Sequence, residues 1–184
     1  YAASVVTALK TAHGLPVGEV VPIKVIGAVP EDYNGTHFAT VADADTLTWA
    51  SADYGVITTI GTASTMRATC THTLPIDSII PVYVGGVSPS SINGEYLAST
   101  VTASYFWFAF DYVATTITET NAYMQVAEFV KTGHGLDQDT VLNARLMNIS
   151  SAEYNGVKAI VATDANTIFY AVNSTTLTPT YALS

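Results

Sequence analysis

The sequence predicts an all-β protein built from three tandem modules, and two observations carry this prediction. Threonine, valine, isoleucine and tyrosine dominate the chain, and turn-forming residues interrupt it at short intervals, as in antiparallel β-proteins. One motif also recurs: His13-Gly14-Leu15, His72-Thr73-Leu74 and His134-Gly135-Leu136. The predicted fold is therefore three small antiparallel β-barrels or sandwiches, at 1–62, 63–122 and 123–184, of about 60 residues each.

The spacing inside each copy is constant. An Asn-Gly pair follows each histidine, and the interval from the histidine to that glycine is the same for Gly35, Gly94 and Gly156. The interval from the glycine to an aromatic residue is also the same in every copy, at Trp49, Phe108 and Tyr170. Each copy therefore runs without an insertion from histidine to aromatic residue, which indicates one folding pattern used three times.

Four strands are predicted in each copy. The first covers 5–11, 66–71 and 128–132, and the second covers 20–26, 79–84 and 140–146. The third covers 36–41, 95–101 and 157–162, and the fourth covers 46–50, 105–110 and 167–172. Pro22 and Pro81 fall at one register of the second strand, which predicts a sheet edge or a bulge there. Val56-Ile57 and 115–118, in the connecting stretches, could add a fifth strand or pair across modules.

Five glycines are predicted to shape turns. Because glycine adopts positive φ angles easily, and an Asn-Gly pair is typical of a tight turn, these positions should need unusual backbone angles. They are Gly14, Gly35, Gly94, Gly135 and Gly156.

Composition limits the function classes. The chain is 49% hydrophobic and only 11% charged, and its net charge is −9 with six Lys plus Arg. Neither direct nucleic-acid binding nor attraction to anionic membranes is expected from so few basic residues. No apolar run is long enough for a membrane helix. Cys70, the only cysteine, is expected to be a buried small residue. Because the chain starts at Tyr1, N-terminal processing, trimming or missing sequence is expected.

Polar residues suggest chemistry in two places, and in each the structural interpretation is favoured. His13, His72 and His134 could converge on a metal, but no second ligand recurs beside them, so capping of a turn is expected. Asp43/Asp45 and Asp137/Asp139 have the alternation of calcium loops without the complete loop pattern, so solvated turns are expected. His37 has no counterpart and is expected at the surface. No catalytic set, cofactor or metal site is predicted, and the protein is not expected to be an enzyme.

The richest aromatic segment is a candidate interface. Strand alternation places Tyr105 and Trp107 on one face, and Phe106, Phe108 and Phe110 on the other. One face must be core, so the other is expected to cover a neighbouring module or subunit, with Tyr105, Trp107 and Tyr112 as interface residues. A sugar-stacking platform is the alternative.

The repeat resembles a module of tail-associated structural proteins of bacteriophages. The resemblance rests on the His13-Gly-Leu turn, the Tyr33-Asn-Gly-Thr segment and the closing Thr46-Leu-Thr-Trp strand. The third copy shares it through Glu153-Tyr-Asn-Gly-Val, whereas the second departs at Thr73 and Ile92. It implies a non-enzymatic virion component, such as a baseplate, sheath-linked, tube-linked or decoration protein.

The expected function is therefore structural. The chain is expected to act in a symmetric extracellular particle, the virion, with copies of itself and other particle proteins as partners. A carbohydrate-binding or adhesion protein is the alternative, in which repeats would add avidity and a glycan would be the ligand.

Overall fold

The protein is all-β in the computed structural model, which describes residues 3–52, 54–55, 57–59, 61–110, 122–174 and 180–182. Its strands form two antiparallel sheets, one of them a half-barrel. The first copy contains β1 (Ala3–Leu9), β2 (Val20–Ile26), β3 (Gly35–Val41) and β4 (Thr46–Ala52). The second contains β5 (Thr62–Ser64), β6 (Met66–Thr69), β7 (Ser78–Gly85), β8 (Gly94–Thr102) and β9 (Tyr105–Phe108). The third contains β10 (Tyr123–Val130), β11 (Val141–Leu146), β12 (Gly156–Ala162), β13 (Thr167–Ala171) and β14 (Thr180–Ala182).

The same strand order occurs in each copy. The five-stranded sheet has the order β1-β4-β3-β2-β5, so the first strand of the copy pairs with the fourth, the fourth with the third, and the third with the second. The nine-stranded sheet runs β11-β12-β13-β10-β7-β8-β9-β6, which repeats that order for the third and second copies, and β14 pairs with β10 outside this path. Three short 3-10 helices, Glu31–Tyr33, Ser90–Ile92 and Ala152–Tyr154, lie between the second and third strands.

The chain forms two compact units. The first comprises Tyr1–Arg67 and Trp107–Val113, and the second comprises Ala68–Phe106 and Ala114–Ser184. The all-β antiparallel class is confirmed. The division into three modules at 1–62, 63–122 and 123–184 stays a prediction.

Alternating side chains of the strands build the core, as expected when one face of each strand is buried. In the first unit, Val21, Ile23 and Val25 of β2 are buried in one cluster with Val41 and Trp49. In the third copy, the corresponding cluster contains Ile160 and Ala162 of β12 with Ile168 and Tyr170 of β13.

Pro22 and Pro81, predicted to lie at a sheet edge or a bulge, lie where described strands pair with only one side of the strand. Pro22 pairs with Phe38 of β3, while β5 reaches only positions 24–26 of the same strand. Pro81 likewise pairs with β8, while β10 reaches only as far as Tyr83 on β7. Each proline therefore lies where the described pairing covers one side of its strand, which is where a missing N–H is tolerated. The strands themselves are not at the ends of their sheets.

Candidate functional site

A loop with the same polar contacts recurs in all three copies. In each copy, the side-chain amide of the motif asparagine forms two hydrogen bonds with the backbone of the residue six positions earlier, an arrangement we call the asparagine clamp. Asn34 accepts from the N–H of Ala28 at 2.8 Å and donates to its carbonyl at 3.0 Å. The same pair of bonds joins Asn93 to Val87 (2.9 and 3.0 Å) and Asn155 to Ile149 (3.1 and 2.8 Å).

The clamp corrects the prediction of an Asn-Gly tight turn. Asn34, Asn93 and Asn155 have extended backbone angles, each caps a 3-10 helix, and the glycine that follows is the first residue of the third strand. Because each amide satisfies both polar groups of one backbone residue, it holds the loop closed without a hairpin turn.

The five predicted turn glycines do not behave alike. Gly14 and Gly135 have φ of 72°, and Gly35 and Gly156 have φ of 133° and 118°, all in the region that favours glycine. The expectation is wrong at Gly94, whose φ lies outside this region and whose added Cβ would meet only the Tyr96 ring, at ordinary contact distance.

Sequence reasoning missed two further turn positions that recur in every copy. Positive φ occurs at one equivalent position shortly after each motif histidine, and at another just beyond the second strand. A signal was available, because only Gly, Asp or Asn stands there, and these residues tolerate left-handed backbone best. The positions are Gly18, Asp77 and Asp139, then Gly27, Gly86 and Asn148.

The motif histidines serve turns in the first and third copies. The ring Nδ1 of His13 accepts from the N–H of Leu15 at 3.1 Å, and that of His134 accepts from Leu136 at 3.1 Å. His72 differs, because its ring is buried, and this burial lowers its pKa against the opposing effect of backbone hydrogen bonds at Tyr105 and Thr102. Among the described residues, no three His, Cys, Asp or Glu side chains lie close enough to hold a metal ion.

The acidic residues before the fourth strand also stabilise turns. Asp43 accepts from the N–H of Asp45 at 2.8 Å, and this bond lowers the pKa of Asp43. Asp164 accepts from the N–H of Asn166 at 2.7 Å, with the same effect on its pKa. The hydroxyl of Thr102 takes this role in the second copy. A neutral hydroxyl can therefore replace the carboxylate, as expected for a turn-forming role.

The aromatic segment alternates as predicted. Phe106 and Phe108 of β9 are buried, whereas Tyr105 and Trp107 are half-buried. Trp107 packs against the buried cluster of the first unit, to which it belongs. Tyr112, the third predicted interface residue, lies outside the described residues.

His37 corrects another expectation, because it is not a plain surface residue. Its ring is half-buried and stacks on Trp49 at a centroid distance of 5.3 Å, and its Nε2 lies 2.9 Å from the carbonyl oxygen of Tyr33. Tyr96 occupies the same position in the second copy, and its hydroxyl donates to the carbonyl of Ile92 at 2.6 Å. Both side chains therefore tie the third strand to the end of the preceding 3-10 helix.

Two other features carry no recognisable chemistry. Cys70 is buried, and burial raises the pKa of its thiol to about 11, so the nucleophilic thiolate is disfavoured. A cavity of about 90 Å³ in the first unit has apolar walls that include Val6, Val25 and Trp49.

Strand pairing joins each copy to the one before it. In the first junction, β5 pairs with the end of β2, with Ala63 opposite Val25. In the second, the beginning of β10 pairs with the end of β7, with Met124 opposite Val84. Both junctions therefore use the same part of the second strand, namely positions 24–26 of β2 and the equivalent positions 83–85 of β7.

Small residues let the chain approach closely at both junctions. An added Cβ on Gly61 would lie 2.6 Å from the carbonyl oxygen of Ile26, and one on Gly85 would overlap the ring of Tyr123. The first junction therefore requires glycine at Gly61, where the atoms met are backbone, whereas a side chain at Gly85 would require the Tyr123 ring to move.

The second strand of the third copy lacks such cover from any described strand. Within the described part of the chain, β11 pairs with β12 only and lies at the end of its sheet. Val25 and Val84 are 7% and 1% exposed, whereas Leu146, at the equivalent position of β11, is half-buried. The loop position shows the same contrast, since Ala28 and Val87 are buried and Ile149 is only half-buried.

In the first copy, β1 is the edge strand of its sheet. It pairs with β4 on one side, and no described strand pairs with its other side. Val5 and Leu9 expose 72% and 78% of their surface, and the strand Ala3–Leu9 contains no charged residue. A long, uncharged, apolar edge is a template for pairing with another strand.

Comparisons of the chain with protein-family models, with curated proteins and with solved structures gave no match. No helix in the described ranges is both long and apolar enough to span a bilayer.

Proposed function

We propose that the protein is a non-enzymatic structural component of a symmetric particle, namely a bacteriophage tail or virion protein of the baseplate, sheath-associated, tube-associated or decoration type. Its partners are copies of itself and other particle proteins, and it acts in the extracellular virion. In this proposal each of the three repeats is one module, and strand pairing carries load from module to module.

Two strand edges that no described strand covers carry the proposal, namely those of β1 and β11. Monomeric β-proteins protect their edge strands with charges, prolines, bulges or covering segments. Here β1 has neither charge nor proline and exposes Val5 and Leu9, while β11 leaves Leu146 half-buried. Such edges favour a protein that completes its core by assembly.

The regularity of the loops supports the same proposal. The asparagine clamps, the capped histidine turns and the Asp43 and Asp164 turns use side chains to fix backbone. A structural protein needs rigid modules with a defined relation between neighbours, and fixed loops supply that rigidity.

The alternative function, a carbohydrate-binding or adhesion protein, has less support from the aromatic segment. A sugar platform needs an aromatic ring with an open face, whereas Trp107 packs against the buried cluster of its own unit. This alternative stays a prediction that a glycan-binding screen can test.

The mass of the native protein tests the proposal. Light scattering on the purified chain, followed by electron microscopy of the same sample, should show a large symmetric assembly. A monomer that persists over the whole accessible concentration range would contradict the proposal. Binding of that monomer to a defined glycan would establish the alternative.

A further inference from the structure

We propose that the edge of β11 that no described strand covers binds β1 of a second copy of this chain, so that copies associate head to tail. The inference deepens the proposed function by naming a partner and its contact, and it rests on that function in so far as the protein works as an assembly. The occupant is inferred from the two junctions inside the chain.

Among the described strands, none pairs with the side of β11 that corresponds to the covered sides of β2 and β7. Val25, Val84 and Leu146 are equivalent, because each follows its motif histidine at the same interval along the chain. The first two lie opposite residues of the following copy and are almost fully buried, whereas Leu146 has no described partner strand on its open side. Its half-buried state, and that of Ile149 and Tyr154, is what loss of a covering strand predicts.

β1 is equivalent to β5 and the beginning of β10, the strands that pair with the preceding copy at the two internal junctions. One backbone hydrogen bond marks the equivalent end of all three first strands, because the N–H groups of Lys10, Cys70 and Lys131 donate to the carbonyls of Asp45, Ser104 and Asn166 at 2.8, 2.9 and 2.7 Å. Counting back seven residues gives Ala3, Ala63 and Met124, and counting back six gives Ser4, Ser64 and Gln125.

The register of the new pairing follows from these equivalences. Ala63 lies opposite Val25 and Met124 lies opposite Val84, so Ala3 should lie opposite Leu146. By the same rule, Ser4 should lie opposite Arg145. The first pair is apolar on both sides, as in both internal junctions.

The first strand of a copy can pair with neighbours on both of its edges at once. Positions 123–125 of β10 pair with β7 and also with β14. The corresponding part of β1 pairs with β4 through Ala3 and Ser4 and has its other edge open among the described strands. Docking onto β11 would therefore leave the first sheet intact.

Charge and symmetry are consistent with this occupant. Each chain carries a net charge of −9, so contact between copies is most favourable where a strand has no charge, as in β1. Because the contact joins two different surfaces, repetition gives a closed ring or an open filament, rather than a twofold dimer.

Disulfide trapping between two separate chains tests the proposal. In a Cys70→Ala background, one preparation carries Ala3→Cys and another carries Leu146→Cys. Residues directly opposite each other in antiparallel strands have Cα atoms about 4.5–5.5 Å apart, within the range for a disulfide. The oxidised mixture should give a two-chain product that neither preparation gives alone, and the double variant should give a ladder of multimers.

The matched control replaces Ala3→Cys by Thr7→Cys, which lies on the same strand about 13 Å further along. We expect about ten times less two-chain product from this control. Equal trapping at both positions would overturn the proposed register. If Leu146→Cys does not fold, the pair Ser4→Cys and Arg145→Cys tests the same register, because these residues should also lie opposite each other.

Light scattering on the same samples separates this inference from the proposed function. A large assembly without specific trapping would overturn the head-to-tail contact and leave the proposed function standing. A stable monomer without trapping would overturn both. Specific trapping in a large assembly supports both.

Discussion

The first and third repeats have the same strand order and the same asparagine clamp, but they differ in how their second strands are covered. In the first repeat, β5 covers the end of β2, and Val25 is 7% exposed. In the third, no described strand covers β11, and Leu146 is half-buried. The two repeats thus share strand order and loop geometry, and burial at the end of the second strand differs where a described strand from the next copy pairs with it.

The second repeat adds a smaller contrast in its turns. Ala12 and Gly133 have positive φ just before the motif histidines of the first and third copies. The second copy is one residue shorter between the end of its first strand and His72, and there Cys70 stands where the others have Lys10 and Lys131. The ring of His72 is buried, whereas those of His13 and His134 are half-buried. The second copy thus differs in turn length and in the burial of its histidine, and keeps the same strand order.

Stability should depend most strongly on Gly61, at the covered junction of the first repeat. Gly61→Ala would place a Cβ 2.6 Å from the carbonyl oxygen of Ile26 and 2.8 Å from the N of Ala28, and backbone atoms cannot move aside as a side chain can. We expect a loss of about 1–3 kcal/mol in the free energy of unfolding, measured by chemical denaturation. Gly94→Ala is the matched control and should change stability by less than about 0.5 kcal/mol. Equal stability of the two variants would refute the tight junction.

The stability cost of removing an asparagine clamp should depend on how deeply the residue that it binds is buried. Asn34→Ala leaves the N–H and carbonyl of Ala28 without their partner, which should cost about 1–3 kcal/mol where water cannot replace it. Asn155→Ala should cost less, because water reaches the half-buried Ile149 more easily.

Asn34→Asp serves as the control, since it keeps the acceptor and loses the donor, and its stability should fall between those of the wild type and Asn34→Ala. Denaturation curves that put Asn155→Ala below Asn34→Ala in stability would contradict the comparison of covered and open repeats.

Backbone conformation predicts a difference between two equivalent glycines. Gly35 has φ of 133°, where any other residue is strained, whereas Gly94 lies outside the positive region. Gly35→Ala should therefore lower stability by about 1–2 kcal/mol, and Gly94→Ala should be near neutral. Thermal melting of both variants measures the difference, and a neutral Gly35→Ala would show that its strand start does not need glycine.

The smallest effect is the pH dependence of the second repeat. Burial lowers the pKa of His72, so the folded state binds fewer protons than the unfolded state at mildly acidic pH. The free energy of unfolding should thus fall as pH decreases below the ordinary histidine value of about 6.5. In denaturation at pH 7 and pH 5, His72→Gln should reduce this fall. A fall of the same size in His72→Gln would exclude His72 as its source.

Local features of the fold can be read from the sequence, and features that depend on distant partners cannot. The predicted second strand of the first copy, 20–26, coincides with β2, because apolar alternation is local. The sequence predicts the first strand of the third copy at 128–132, but β10 begins at Tyr123, since its first residues pair with β7 of the preceding copy. Such pairing leaves no local periodicity.

The candidate site shows the same division. The histidine and aspartate turns follow from residue type, because these side chains bond to backbone two residues away. The asparagine clamp is mistaken for a turn in the sequence, because the residue that it binds lies six positions back and a 3-10 helix intervenes. Half-buried Trp107 packs against the buried cluster of the first unit, which lies far away in the sequence. Strand alternation predicts that this face is covered, but it does not indicate which residues cover it.

Hydrogen exchange of the three second strands can show whether a strand from outside the third repeat covers β11. Amide protection is compared between a dilute, dissociated sample and the assembled sample, by mass spectrometry of peptides that cover β2, β7 and β11. The covered strands β2 and β7 should be protected in both samples, and β11 should gain protection only on assembly. Protection of β11 that is already complete in the dissociated chain, or that does not change on assembly, would contradict the claim that an outside strand completes the third repeat.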